Sequence, residues 1–247
     1  MDSPSVTPRK RYKRPPITEA VIEFRFASAA TADQINGAKE ELLADYPLAQ
    51  PMQHITIALP APPRVDMVGF KMLSTDALWI AIVGLDNLGC SRLAPYGGWE
   101  EFIERARNLW TISRKVVGWR EVVRLGVRFI NRIDIPNPDG TPVDLGNYLN
   151  FAPKFPVFTG SLPADSFGIN CALGVADSEF RVILNAGTTE SPLVNTTSII
   201  LDLDVSREKG LPKNEGDLWK LVEDARNLKN RVFEASVTDV AKELFSK

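Results

Sequence analysis

Residues 122–135 read VVRLGVRFINRIDI, and the period of this stretch decides the fold. Leu125, Val127, Phe129, Ile133 and Ile135 alternate onto one face, with Asn131 among them, while Arg124, Arg128 and Arg132 fall on the other. A period of two belongs to a strand half-buried against a core, because successive side chains point to opposite faces of a sheet. The stretch is long enough to run across a wide sheet. Upstream, TEAVIEFRF at 18–26 repeats the pattern, with Ile22, Phe24 and Phe26 on one side and Val21, Glu23 and Arg25 on the other. Shorter strand signals lie at 52–59, 67–73, 77–84 and 87–93, the last three spaced for antiparallel pairing. Further strand signals follow at 167–175, 179–186 and 197–205.

Helical spacing takes over between these strands. Thr31 with Gln34 forms a capping-box signature ahead of Ile35, Ala38, Leu42 and Tyr46, and Pro47 closes the run. Residues 99–117 place Phe102, Ile103, Ala106, Leu109, Trp110 and Val117 on one side, with Gly118 suited to the end. The chain finishes in helices over 217–245. These signals predict an α+β protein, an antiparallel β-sheet with long helices packed on one face. WEEFIERARNL at 99–109 and LWKLVEDARNL at 218–228 share an Ala-Arg-Asn-Leu tetrapeptide and each follows a set of strands, which points to two related halves. The expected organisation is a basic flexible tail over 1–14, an N-terminal half over 15–135, a connection rich in Pro, Gly and Asn over 136–158, and a C-terminal half over 159–247.

Composition is that of an ordinary globular protein: 247 residues, 44% hydrophobic and 24% charged, enough for a sizeable core. No apolar run reaches membrane-spanning length and the N-terminus lacks the apolar stretch of a secretory signal, so a cytoplasmic protein without a membrane partner is expected. Cys90 and Cys171 are far apart in apolar-patterned segments, which favours free thiols. Lys and Arg together number 29 and Asp and Glu 31. Arg9, Lys10, Arg11, Lys13 and Arg14 oppose Asp2 alone in residues 1–14, which leaves 24 basic and 30 acidic residues in the body. Attraction to phosphates must therefore come from the tail or from a local patch.

Few residues carry recognisable chemistry. His54, the only histidine, shares a strand face with Thr56 and has no nucleophile motif beside it, so it reads as an exposed strand residue. One histidine and two dispersed cysteines exclude a zinc site of the usual ligands. Asp202 and Asp204 share a strand face, a spacing that suits either two hard oxygen ligands for Mg²⁺ or a solvated surface. Neither GxxxxGK[ST] nor GxGxxG occurs, and no cofactor is expected. Arg124, Arg128 and Arg132 form the strongest polar pattern. They suit an anion groove, or pairing across strands with carboxylates such as Glu19 and Glu23, and the acidic body favours pairing. Asn131 in an apolar row calls for buried partners. Tyr12 within the basic tail is placed to stack on a base.

PPITEAVIEFRF near the start, RLGVRFINRIDIP in the middle and RVFEASVTDVAKELF at the end together resemble a sporadically distributed family of prokaryotic proteins of unassigned function and similar length. The resemblance spans Pro15 to Phe245. Its members usually carry a histidine in the last long helix, where this chain has Asn227. What the resemblance implies is an accessory role in a mobile-element or defence system, without a mechanism. Together with the missing catalytic constellations, this leads to a non-enzymatic binding or assembly module whose partner is a protein or a second copy. The alternative is a nucleic-acid-binding accessory protein that uses Arg9, Lys10, Arg11, Lys13, Arg14 and the arginine row. Metal-dependent phosphoryl transfer around Asp202 and Asp204 has the least support.

Overall fold

The computed structural model describes residues 12–57, 59–60, 62–141, 143–151 and 166–246. Arg9, Lys10 and Arg11 of the tail, and residues 152–158 of the expected connection, lie outside the described residues. In chain order the elements are β1 (Ile17–Phe26), α1 (Ala32–Leu42), β2 (Leu48–Thr56), β3 (Arg64–Leu73), β4 (Trp79–Gly84), β5 (Asn87–Leu93), α2 (Trp99–Val117), β6 (Val122–Pro136), β7 (Gly168–Gly174), β8 (Phe180–Thr189), β9 (Thr196–Arg207), α3 (Glu215–Ser236) and α4 (Asp239–Ser246). A single turn of 3₁₀ helix sits at Leu145–Asn147.

Local chemistry explains the boundaries. At the start of α1 the Gln34 N–H donates to Thr31 Oγ1 at 3.2 Å and the Thr31 N–H donates to Gln34 Oε1 at 2.9 Å, a reciprocal cap. Helix α2 closes at Gly118, whose φ of 83° lies in the left-handed region, and its N–H donates to the Arg114 carbonyl at 2.8 Å. In α3, Asn214 caps through its side chain onto the Asp217 N–H at 2.9 Å.

Among the described residues, nine strands join one antiparallel sheet in the order β2-β3-β4-β5-β1-β6-β9-β8-β7. Strand β6 bonds to β1 along one edge, with Ala20 opposite Phe129 and Ile22 opposite Val127, and to β9 along the other, with Phe129 opposite Leu203. This corrects the expected fold class. In place of an α+β arrangement of long helices packed on antiparallel sheet in two related halves, the architecture is a single large nine-stranded sheet accompanied by four helices. The cause is the pairing of β6 on both edges, which fuses into one sheet the strands that local periodicity left in separate groups.

The apolar face of the sheet carries the core. Phe24 of β1 lies 4.8 Å from the Trp110 ring of α2 and 5.5 Å from the Trp219 ring of α3. Phe129 meets Tyr96 at 5.7 Å and Phe102 at 6.3 Å. A second cluster gathers Ile133, Ile135, Leu149, Leu201, Phe233 and Phe245 where α3 and α4 cover the far end of β6. Phe24 thus touches one helix that precedes β6 and one that follows it. Replacing Phe24 by Ala is expected to lower stability by about 3–5 kcal/mol in urea unfolding. Tryptophan fluorescence and far-UV dichroism should report one coincident transition, and two separated transitions would show that the segments before and after β6 unfold independently.

Candidate functional site

The arginine row lies on the sheet face opposite this core, and the same alternation that buries Leu125, Val127 and Phe129 puts it there. Arg124 donates to Glu23 Oε2 and to Asp204 Oδ2, both at 2.8 Å. Arg128 grips Asp202 with two bonds, Nε to Oδ1 at 2.8 Å and Nη2 to Oδ2 at 2.7 Å. Asn185 then donates to Asp202 at 3.1 Å and receives a bond from Asn170. Arg132 turns to Asp134 at 2.9 Å, and Asp134 also accepts from Ser198 at 2.6 Å. A charged ladder therefore runs from β1 through β6, β9 and β8 to β7. Burial raises the Asp204 carboxyl above its ordinary range, with Arg124 and Arg128 opposing the rise.

This geometry accounts for several residues at once. Asp202 and Asp204 spend their oxygens on arginine, and no group of three or more metal-ligating side chains is assembled among the described residues. Glu23 pairs with Arg124, whereas Glu19 accepts from Ser91 at 2.5 Å. Asn131 is buried and donates to the carbonyls of Phe129 and Leu201, so its role is structural. Tyr12 packs on Phe233 and Phe245 and donates to Glu234 at 2.8 Å, which occupies the ring that stacking on a base would need. Lys13 and Arg14 are exposed, and the Arg14 N–H ties the chain to the Phe245 carbonyl at 3.0 Å. Both cysteines are free, with the buried Cys90 thiol pushed up to about 12. No described helix is long and apolar enough to cross a membrane.

Two features escaped sequence reasoning. The first is Lys229, buried on α3 with Nζ 3.6 Å from the centre of the Phe129 ring. Burial pushes its ammonium down to about 7, Arg226 adds to the shift, and Glu234 opposes it. Its signal was present in the spacing: Lys229 stands four residues after Ala225 and seven after Val222, within the apolar stripe of α3.

The second feature is an arm. Strand β3 pairs with β4 only over Gly69–Leu73, while its pairing with β2 continues to Arg64, so the ends of β2 and β3 project as a two-stranded ribbon. A register shift between Met52 and Gln53 marks a bulge at the base. Gly69 there has φ 151°, and a Cβ would come 2.4 Å from the Val83 carbonyl oxygen, so the base tolerates only glycine. Past the bulge Ile55 faces Val65 and Gln53 faces Met67 on one side, with His54 facing Asp66 on the other. Arg64 donates to Asp66 at 2.8 Å. Ile55, Val65, Ile57 and Leu59 are 58, 52, 70 and 91% exposed, so the arm carries its apolar face into solvent.

A cleft of about 300 Å³ between α2 and α3 is lined by Thr111, Arg114, Lys115 and Glu215, with Arg114 and Glu215 paired, and lacks the apolar lining of a small-molecule pocket. No protein-family model matches the chain, and no curated protein matches it.

Replacing Arg128 by Ala leaves the buried Asp202 with Asn185 alone and is expected to cost about 1–3 kcal/mol in chemical denaturation. The paired change Arg128→Met with Asp202→Leu should recover most of that loss, and equal losses in the single and paired variants would contradict the ladder. For Lys229 the folded state loses its proton near 7 while the unfolded chain keeps it to about 10.4, so the wild type gains stability as pH rises across that window. Lys229→Met should therefore be more stable than the wild type at pH 6, with the advantage shrinking by pH 9. An advantage independent of pH would mean the amine is charged in both states.

Proposed function

We propose that the protein is a non-enzymatic binding module whose partner is a protein, and that the β2–β3 arm is its binding element. The observation that carries this reading is the exposed row of Ile55, Ile57, Leu59 and Val65 on a ribbon that no helix covers. A two-stranded ribbon is marginal in water on its own, and an apolar face on it gains most when a partner removes it from solvent. The outer edge of β2 adds unpaired backbone groups to which an extended segment can bond.

The arginine row favours the same choice. Arg124, Arg128 and Arg132 are bonded to Glu23, Asp204, Asp202 and Asp134 on their own face, so a phosphate would have to compete with carboxylates already in place. A photo-crosslinker placed at Ile57 in the full chain is expected to capture protein in cells, and Ile55→Lys with Val65→Lys should abolish capture without changing thermal stability. Retention of labelled DNA or RNA that falls steeply with salt and vanishes on removing residues 1–14 would instead assign function to the basic tail.

A further inference from the structure

We propose that the protein seated on the arm is a second copy of this chain, with the apolar face of one arm covered by the same face of its twin about a twofold axis. This rests on the reading of the arm as the protein-binding element. Five of the eleven strongly exposed large hydrophobics among the described residues, Leu48, Ile55, Ile57, Leu59 and Val65, fall on β2, β3 and the turn between them. No other part of the described surface concentrates them to this degree.

Charge selects the occupant. The full chain is nearly balanced, with 29 basic against 31 acidic residues, but the body after residue 14 carries 24 against 30, so two bodies brought face to face away from the tails tend to repel. The arm is the exception. From Leu48 to Met67 the only Lys, Arg, Asp or Glu residues are Arg64 and Asp66, which pair with each other. A twofold contact sets each patch against itself, so a patch bearing net charge opposes its own kind, while a neutral apolar patch meets its match. Ile55, Ile57 and Val65 form such a patch, with Gln53 and Met67 at its base, and their β-branched surfaces pack without a charge to orient.

The edge points the same way. Strand β2, LAQPMQHIT, is outermost in the sheet and contains no Lys, Arg, Asp or Glu. Edge strands that must stay single carry such charges on themselves. The one guard present is Pro51, which removes a donor at the base of the arm and leaves Met52–Thr56 beyond it with an uncharged edge that does not oppose a copy.

Sedimentation of the purified full chain across a wide micromolar range tests the proposal. The mass of the wild type should rise from 27.3 kDa toward twice that value and stop there. Ile55→Lys with Val65→Lys should remain monomeric, with the dichroism spectrum and melting temperature of the dilute, monomeric wild type, while Ile55→Val should still dimerise. As a second readout, Ile57→Cys in a Cys171→Ser background should form a disulfide between copies under mild oxidation. A wild type that stays monomeric throughout, or a lysine variant that still dimerises, overturns the proposal. Growth past the dimer that is abolished by Leu173→Lys on the opposite edge strand also overturns it, in favour of an open array. If the purified chain is monomeric while the crosslinker at Ile57 still captures a different protein, only the choice of partner fails. If it captures no protein either, the arm is not a binding element.

Discussion

The double pairing of β6 is the constraint on which everything else depends. From Leu125 to Asn131 the strand is paired along both edges, with β1 on one side and β9 on the other, so its backbone donors and acceptors there are committed. One face is then sealed by Phe24, Phe129 and the helix aromatics, and the other holds the arginine row at the middle of a nine-stranded sheet. Guanidiniums placed there have neighbouring strands rather than open solvent on either side. They are satisfied by carboxylates those strands bring into register, Glu23 from β1 and Asp202 and Asp204 from β9. The middle of the sheet is thus chemically closed, and the surface left to meet another molecule lies at the periphery, where β2 and β3 run past β4.

Two charged arrangements oppose stability and binding in different ways. The ladder on the polar face gains from pairing roughly what it gives up in hydration, so it fixes register more than it adds stability. Lys229 has no comparable arrangement. Its ammonium rests on the Phe129 ring with Arg226 raising its cost, and the α3 stripe accepts the lysine because the stem packs as an apolar side chain while the amine can shed its proton.

How much of this was legible in the sequence depended on whether the cause was local. Helix α2 spans 99–117, the range its apolar spacing and Gly118 define, and β6 ends one residue past the alternating stretch that marks it. Strand β2 begins at Leu48 rather than near residue 52, because Pro51 and the bulge after Met52 break the alternation that would have shown it. The order of strands was hidden, since which edge meets which depends on register between segments far apart in sequence, such as Ile17 and Asn131. The same non-locality kept the anion-groove reading of Arg124, Arg128 and Arg132 open: Asp204 and Asp202, the partners of Arg124 and Arg128, looked like a separate feature until β6 and β9 were side by side. The arm was misjudged for a different reason. Alternation in residues 52–59 promises a half-buried strand, and only the end of β4 at Gly84 reveals that no third strand supports it.

Amide hydrogen exchange on the full chain is the most direct test of the fused sheet. The account predicts that β1, β6 and β9 form the slowest class together, opening with one free energy, while the arm beyond the bulge exchanges rapidly at concentrations where the chain is dilute. Two classes, with β1 to β5 opening separately from β6 to β9, would contradict it.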